Sequence, residues 1–155
     1  MTKFGQLVIG PPGAGKTTYV DGLSQFLPAI QRPITSINLD PAADEPPYKP
    51  DIDIRDLVSV TDIMEEHHLG PNGAMLFAFE YIDINFDWLE EKIEESENEY
   101  LVFDMPGQVE LTTGHSSLIN ILEKLKKKLD CRVRRLLNAW IMVLIHTIAY
   151  CRTSH

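Results

Sequence analysis

The chain has 155 residues, of which 44% are hydrophobic and 24% are charged, as is typical of a globular protein and not of a disordered or fibrous one. Its net charge of -9 argues against a nucleic-acid-binding protein, because such proteins present a basic surface to the phosphate backbone. Two cysteines, Cys131 and Cys151, make no disulfide framework and no metal-binding spacing, and the N-terminal apolar run is too short for a signal peptide. We therefore expect a single domain without disulfides, in the cytosol or the nucleus.

The first predicted element is a short buried strand, Gln6 to Ile9, which is followed by the sequence GPPGAGKT at residues 10–17. After this loop, apolar residues at helical spacing and then a proline predict a helix and its end: Val20, Leu23, Phe26 or Leu27, and Pro28. The loop matches the pattern of Gly, four residues and Gly-Lys-Ser/Thr. Its place between a strand and a helix is the context that a phosphate-binding loop requires.

The residue types of this loop suit a triphosphate. Glycines at 10, 13 and 15 let backbone N–H groups approach the anion closely, because no Cβ atom stands in the way. The helix that begins near Lys16 adds the positive end of its dipole, Lys16 is expected to reach the β- and γ-phosphates, and the Thr17 hydroxyl is expected to bind Mg²⁺. The expected phosphate-binding residues are Gly13, Ala14, Gly15, Lys16, Thr17 and Thr18. The alternative is a glycine-rich turn that binds nothing.

A second predicted strand, Ile34 to Leu39, ends at Asp40. An Asp at this position points toward the phosphates, so we expect Asp40 to polarise the attacking water or to bind in the outer shell of the metal. The acidic residues that follow, Asp44 and Glu45, are interpreted as exposed turn residues.

Residues 62–75 predict a short helix followed by a turn. Asp62 with Glu65 resembles a capping pair at the start of the helix. The run Gly70-Pro71-Asn72-Gly73 predicts a turn, because Pro fixes one backbone angle while Asn and Gly tolerate the left-handed region. The residue types alone favour a turn that only reverses the chain over one that carries a side chain to a reaction.

A third strand, Tyr100 to Phe103, ends at Asp104 within YLVFDMPGQVEL. We expect Asp104 to position Mg²⁺ through water and the Gly107 N–H to contact the γ-phosphate. Gln108 and Glu110 follow closely enough to orient a water molecule. The alternative for Asp104 is a capping residue at the end of the strand.

Two apolar stripes predict amphipathic helices on either side of this strand. The first has Phe86, Leu89 and Ile93 on its apolar side and Glu90, Glu91, Glu94 and Glu95 on its wetter side, which we interpret as a solvated face, with a partner-binding face as the alternative. The second stripe is interpreted as core: Leu118, Leu122, Leu125 and Leu129.

Charge is divided unevenly along the chain. Through Glu123 there are 22 acidic and 6 basic residues, whereas from Lys124 onward there are 1 acidic and 8 basic residues. The basic run from Lys124 to Arg135 favours a solvated helix face over an interaction patch.

The segments GPPGAGKTTY, NLDPAA, LGPNG and DMPGQVEL, in this order, resemble the GPN-loop GTPases. The resemblance covers about residues 1–131, and FGQLVIGPPGAGKTTY and PGQVELTT are most similar to the second eukaryotic paralogue of that family. It implies an α/β fold: the three-layer P-loop NTPase fold, SIMIBI-like, with a parallel sheet flanked by helices.

The resemblance also implies an activity and partners. It implies Mg²⁺-dependent hydrolysis of GTP to GDP and phosphate in a homodimer, or in a heterodimer with other GPN-loop GTPases. It implies a role in RNA polymerase II assembly and nuclear import, with polymerase subunits or assembly factors as partners. The implied location is cytoplasmic with shuttling to the nucleus, without direct binding to nucleic acid or membrane.

The turn at residues 70–72 gains a role from the same resemblance. In the family, the Gly-Pro-Asn turn is inserted into the active site of the partner, so Gly70, Pro71 and Asn72 are implied to form that loop. An amide both donates and accepts, so Asn72 is suited to bond a γ-phosphate oxygen and a water molecule together. A group that acts in trans makes hydrolysis depend on dimerisation, as an arginine finger does.

From Arg132 onward the sequence departs from the family pattern, and no Asn/Thr-Lys-x-Asp element for guanine recognition is found in it. We therefore expect a partial GTPase domain at residues 1–131, incomplete at its C-terminus, and a divergent apolar tail at residues 132–155 of a truncated or alternatively ended form. The run from Leu136 to Tyr150 is too short and too interrupted for a membrane span, and predicts a buried strand or an exposed apolar tail.

Two other functions stay open from the sequence. The missing base-recognition element favours a nucleotide-binding regulatory subunit with little or no hydrolysis. The glycine-rich loop alone is equally compatible with an ATP-using relative, such as a phosphate-loop kinase or a partition-type ATPase.

Overall fold

The computed structural model describes residues 3–43, 45–107 and 116–135, with the backbone alone for residues 130–135. The strands are β1 (Phe4–Ile9), β2 (Thr35–Asn38), β3 (Ile52–Asp53), β4 (Tyr100–Asp104) and β5 (Asp130–Arg135). The helices are α1 (Lys16–Ala29), α2 (Val60–His67), α3 (Pro71–Ile84), α4 (Phe86–Glu95) and α5 (Ser116–Lys128), and a 3₁₀ turn spans Ile54–Asp56.

The five strands form one parallel sheet in the order β3-β2-β4-β1-β5. From β1 the chain crosses through α1 toward β2, whereas from β4 it crosses to the opposite side, where β5 pairs with β1. Because β1 and β4 are neighbours whose connections leave in opposite directions, a switch point for ligand binding lies at their carboxyl ends. The register pairs Val8 with Asp104, so the loop after β1 and the end of β4 meet there.

Both faces of the sheet are covered by helices. On one face, Val20 and Leu23 of α1 pack with Val8 and Val102 of the sheet. On the other face, a larger cluster joins the alternating strand residues, such as Leu7, to helices α2 to α5. The predicted α/β three-layer fold with a flanked parallel sheet is confirmed in the described residues.

The first helix follows the sequence prediction closely. It ends at Ala29, one residue beyond Pro28, which lies within its last turn. Leu27 is buried and Phe26 is exposed, so Leu27 is the residue that continues the apolar stripe. The two later stripes are also confirmed, since α4 buries Phe86, Leu89 and Ile93, and α5 and the residue after it bury Leu118, Leu125 and Leu129, with Leu122 half-buried.

The predicted capping pair of α2 is wrong. Ser59 is the N-cap residue, and its hydroxyl accepts a hydrogen bond of 3.2 Å from the backbone N–H of Asp62. Asp62 therefore lies in the first turn instead of preceding it. A short hydroxyl side chain on extended backbone reaches this N–H directly, which makes Ser59 the better cap.

The predicted turn at residues 70–73 is the start of a helix. Gly70 is the N-cap of α3, and Pro71 occupies its first position, where the fixed φ of proline is already helical and no N–H is needed. The chain changes direction two residues earlier, at His68, whose φ of 54° is left-handed. The result is that Asn72 projects from the first turn of a helix.

The predicted solvated helix face from Lys124 to Arg135 is supported only as far as Lys128; it is wrong for Asp130–Arg135, which form strand β5 because they pair with β1. Lys126 and Lys127 are exposed, and Lys128 pairs with Glu90 and, at 3.5 Å, with Glu94 of α4. No helix in the described residues is long and apolar enough to cross a membrane. The run 136–150 lies outside those residues, and the domain division after residue 131 stays a prediction, although β5 continues across that position.

Candidate functional site

The loop between β1 and α1 has a backbone that requires glycine at two positions. Gly13 and Gly15 have φ angles of +73° and +83°, which L side chains rarely adopt. Gly15 is also the N-cap of α1, so no side chain caps the first turn of the helix. The first-turn N–H groups and the positive end of the helix dipole are therefore left for an anion.

Lys16 lies against this loop instead of extending into solvent. Its side chain is buried, and its Nζ donates to the Pro11 carbonyl oxygen at 3.2 Å. An ammonium group held by one loop carbonyl retains further N–H bonds for a ligand. The loop and its lysine are thus preformed around the space at the carboxyl end of β1.

Asp104 stands at the end of the neighbouring strand and is only 4% exposed. Its Oδ2 accepts a hydrogen bond from the Tyr48 hydroxyl at 3.2 Å, and Thr17 lines the same cleft. Burial raises the pKa of Asp104, while the neighbouring Thr17 and Tyr48 hydroxyls and the charge of Lys16 oppose the rise. Burial and the adjacent carboxylate likewise raise the pKa of Tyr48, which keeps its hydroxyl a donor.

One oxygen of the Asp104 carboxylate is left unpaired within the described part of the chain. Asp104 Oδ1 is buried and has no hydrogen-bond partner there. A buried carboxylate oxygen without a partner is costly, and a cation or its bound water would satisfy it. The Thr17 hydroxyl beside it supplies a second oxygen, so these two residues fit a magnesium ion.

No group of three or more His, Cys, Asp or Glu side chains that could hold a metal occurs in residues 3–43, 45–107 and 116–135. Mg²⁺ bound to a nucleotide commonly takes only one or two protein ligands and completes its shell with phosphate and water. The two oxygens of Thr17 and Asp104 are therefore sufficient for that kind of site.

Gly107 packs directly on the phosphate-loop candidate. A Cβ atom at residue 107 would lie 3.0 Å from the Cα of Pro12 and 3.2 Å from the Nζ of Lys16. Only a residue without a side chain fits this approach without moving the loop. The segment after β4 is thereby brought against the loop after β1, and the contact of the Gly107 N–H with the γ-phosphate stays a prediction.

These elements enclose a cleft of about 210 Å³. Its lining includes five residues of the sequence prediction: Lys16, Thr17, Asp40, Asp104 and Gly107. Glu45 also lines it, although its side chain is exposed as predicted. The main predicted elements of a phosphate and metal site thus meet in one place.

Other predicted site residues lie elsewhere. Gly13, Ala14, Gly15 and the exposed Thr18 belong to the loop and first turn beside the cleft but do not line it. Gly70, Pro71 and Asn72 are exposed at the start of α3 and are not among the lining residues. Gln108 and Glu110, as well as Asp44, lie outside the described residues, so their roles stay predictions.

Asp40 is fixed by a network that the sequence did not reveal. Its backbone N–H donates to Asn38 Oδ1 at 3.0 Å, and its own Oδ1 accepts from the N–H of Ala42 at 3.0 Å. Asn38 Nδ2 donates in turn to Asp53 Oδ1 at 3.0 Å, and Asp53 forms an ion pair of 2.6 Å with Arg55. Burial would raise the pKa of Asp53, but the hydrogen bonds from Arg55 and Asn38 outweigh it and lower the pKa.

Asn38 and Tyr48 are the functional candidates that sequence reasoning missed. Asn38 is a buried polar residue at the carboxyl end of a strand, and that pattern was a usable signal. Tyr48 follows two prolines in a loop, and nothing in its local sequence indicates that it contacts a residue 56 positions away.

A strand, a glycine loop and a helix, with a buried lysine beside a carboxylate on the adjacent strand, define a P-loop NTPase site. The family model described as "Conserved hypothetical ATP binding protein" matches residues 8–148 of this chain. The chain belongs to this family, and the resemblance to GPN-loop GTPases inferred from its motifs is confirmed by its relatives.

Several curated relatives carry that name. The chain is 50% identical over 131 residues to GPN-loop GTPase QQT1 of Arabidopsis thaliana, covering 84% of this chain and 44% of that protein. It is 52% identical over 132 residues to GPN-loop GTPase 2 of Saccharomyces cerevisiae, covering 83% of this chain and 38% of that protein. The chain thus spans less than half the length of these relatives.

A solved structure has the same fold. A GTPase from Pyrococcus abyssi, crystallised in its apo form, aligns with a TM-score of 0.68 and 34% identity, covering 77% of this chain and 48% of that one. The likeness supports the assignment of the fold and of the site to the same class.

Proposed function

We propose that this chain binds GTP with Mg²⁺ in the cleft between β1 and β4 and hydrolyses it to GDP and phosphate. The observation that carries the proposal is the buried Asp104 Oδ1, which has no partner in the described residues and lies in a cleft with Lys16 and Thr17. Relatives named GTPases over most of this chain favour GTP as the nucleotide.

The chain's own residues divide the work of binding. The backbone of the loop at residues 10–15 surrounds the phosphates, and Lys16 adds a positive charge at the β- and γ-phosphates. Thr17 and Asp104 would hold Mg²⁺, which when bound neutralises charge on the β- and γ-phosphates. Gly107 brings a backbone N–H beside the loop, where it would contact the γ-phosphate.

Water activation is assigned to residues around the same cleft. Asp40 lines it on a loop held by Asn38, and it would polarise the attacking water or bind in the outer shell of the metal. Gln108 and Glu110 follow Gly107 in sequence and are proposed to orient that water.

We further propose that hydrolysis depends on a dimer, because Asn72 is exposed and not part of its own cleft. The N-terminus of α3 presents Gly70, Pro71 and Asn72 together, and the helix gives the amide a rigid base. An amide inserted into the cleft of a second subunit would bond the γ-phosphate region and the water at low entropic cost. The second subunit would be another copy of this chain or another GPN-loop GTPase.

By analogy with its family, the proposed biological role is RNA polymerase II assembly and nuclear import. Its partners would be polymerase subunits or assembly factors, and its location would be the cytoplasm with shuttling to the nucleus. Loss of polymerase import in cells depleted of this protein, rescued by the parent and not by Lys16→Ala, would support this role.

ATP is the second candidate nucleotide, because the matching family model is described as ATP binding. One experiment separates a GTPase from a regulatory subunit and from an ATP-using enzyme. The protein is titrated with Mg²⁺-GTP and Mg²⁺-ATP, and phosphate release is followed at several protein concentrations. GTP preference and a rate per subunit that rises with protein concentration would support the proposal. Binding without turnover would indicate a regulatory subunit, and ATP preference an ATPase or a kinase.

A further inference from the structure

We propose that Tyr48 is a positioning residue for the metal-binding carboxylate of Asp104. Its hydroxyl holds one oxygen of the carboxylate and so directs the other to Mg²⁺. This inference rests on the proposed function, since it concerns the same cleft, but it assigns a role to a residue outside the phosphate loop and the metal ligands.

The two oxygens of Asp104 are in different situations. Oδ2 accepts a hydrogen bond of 3.2 Å from the Tyr48 hydroxyl, whereas Oδ1 is buried and has no partner among the described residues. A carboxylate can rotate about its last bond and exchange its oxygens, and a fixed donor on one of them opposes this rotation. Partners that orient a metal ligand in this way commonly set the metal affinity.

The ring of Tyr48 is itself well anchored. The residue is 7% exposed and packs in the cluster between α1 and the sheet, with Val8 and Val102. A rigid ring places its hydroxyl in a defined position, which is what an orienting donor requires. An exposed tyrosine that swung freely would not have this effect.

Tyr48 also links the carboxylate to one wall of the cleft. The loop from Asp40 to Tyr48 contributes Ala43 and the two prolines before Tyr48 to the lining. This loop is fastened at one end by Arg55, whose Nη1 donates to the Ala43 carbonyl oxygen at 3.2 Å, and at the other end by the bond to Asp104. The wall and the carboxylate are therefore held in one arrangement.

The test uses Tyr48→Phe, which keeps the ring and removes only the hydroxyl. Binding of a fluorescent GDP analogue is titrated in EDTA and then at increasing Mg²⁺ concentration, with no turnover involved. We expect an affinity in EDTA within about two-fold of the parent, and an Mg²⁺ concentration for half-maximal tightening that rises about 10-fold.

Tyr100→Phe is the matched control. It also removes a partly buried tyrosine hydroxyl, which donates to Gln6 Oε1, away from Asp104. We expect its Mg²⁺ dependence to equal that of the parent. Replacement of Tyr48 by 4-aminophenylalanine, which restores an N–H donor at the same position, is expected to bring the Mg²⁺ requirement back toward the parental value.

The outcomes separate this inference from the proposed function. If the parent tightens its nucleotide with Mg²⁺ and Tyr48→Phe does so at the same concentration, the positioning role is wrong and the function stands. If Tyr48→Phe unfolds or weakens binding equally in EDTA and Mg²⁺, the hydroxyl is structural and the positioning role is again wrong. If the parent itself binds no nucleotide or ignores Mg²⁺, both proposals fail.

Discussion

Gly107 and Pro12 approach so closely that a single Cβ atom on residue 107 would lie 3.0 Å from the Cα of Pro12. The contact joins the segment after β4 to the loop after β1, which are far apart in sequence. It is a backbone contact on the Pro12 side, so that side cannot yield by a change of rotamer. The two halves of the proposed phosphate site are thus matched in shape to each other.

The first prediction follows from this contact. Gly107→Ala should shift the loop by a few tenths of an ångström, and such overpacking costs about 1–3 kcal/mol. If about 1.4 kcal/mol of this falls on the nucleotide complex, GTP affinity drops about 10-fold. Isothermal titration with GTP and Mg²⁺ measures the affinity of the variant. An affinity equal to that of the parent would show that the contact between Gly107 and Pro12 does not shape the site.

The second prediction concerns Gly22, which has room for a side chain and so serves as the counterpart of Gly107. A Cβ atom at Gly22, in the exposed part of α1, would meet nothing within 4 Å. Gly22→Ala should therefore raise the free energy of unfolding by about 0.5–1 kcal/mol, because alanine restricts the unfolded chain and favours helix. Urea unfolding measures this. GTP affinity should stay at the parental value. A decrease in the free energy of unfolding or in GTP affinity would contradict the packing around α1.

The third prediction concerns the exposed Asn72. Asn72→Ala should leave nucleotide affinity nearly unchanged and slow GTP turnover by about 100- to 1,000-fold, as expected when one transition-state hydrogen-bond donor is lost. The measurement is phosphate release at saturating GTP and several protein concentrations. Asn98→Ala, which removes an amide that donates to the Ile34 carbonyl oxygen elsewhere, is the control for amide loss. A collapse of affinity with unchanged turnover per dimer would disprove the role in trans.

The fourth prediction is a pH dependence of stability. Asp83 at the end of α3 accepts hydrogen bonds from Lys124 Nζ at 2.7 Å and Asn120 Nδ2 at 2.9 Å, both on α5. Burial acts to raise the pKa of Asp83, but these hydrogen bonds lower it below 3.8. Its stabilising contribution is therefore complete above the unfolded value and is lost as pH falls through the lowered folded value.

Asp83→Asn tests this dependence. We expect it to lower the free energy of unfolding by about 0.5–1 kcal/mol at pH 7 and at pH 5, because the pair is partly exposed. The difference from the parent should shrink as pH falls below the ordinary aspartate value of 3.8 and through the lowered folded value, where Asp83 of the parent becomes protonated. Urea unfolding at each pH measures it, with exposed Glu66→Gln as the charge control. A difference that does not change with pH would rule out the ion pair as its source.

Local patterns were sufficient for much of this molecule. The loop at residues 10–17 and the strand ending at Asp104 could be placed from sequence, because each is a short pattern with a fixed spacing. The apolar stripes of α4 and α5 were recognisable for the same reason. Parallel strands then bring their carboxyl ends to one edge, so a cleft holding Lys16 and Asp104 could be expected.

The wrong and missed predictions have two causes: a local pattern suited two structures equally well, or a contact joined residues far apart in sequence. Ser59 and Asp62 are both good capping residues, and only the extended backbone at Ser59 decides between them. The turn residues at 70–73 are equally suited to a helix start, where proline is favoured at the first position. The bond between Tyr48 and Asp104 joins distant parts of the chain, and no periodicity predicts such a pair.

Lys16→Ala is the most direct test of the account. We predict that the variant folds like the parent by circular dichroism but binds GTP with Mg²⁺ about 10- to 100-fold more weakly, because a charge-assisted hydrogen bond of about 1.5–3 kcal/mol is lost. Lys126→Ala, on the exposed end of α5, should bind like the parent. Parental affinity in Lys16→Ala would mean that the nucleotide does not lie against this loop, which would contradict the proposed site and the hydrolysis assigned to it.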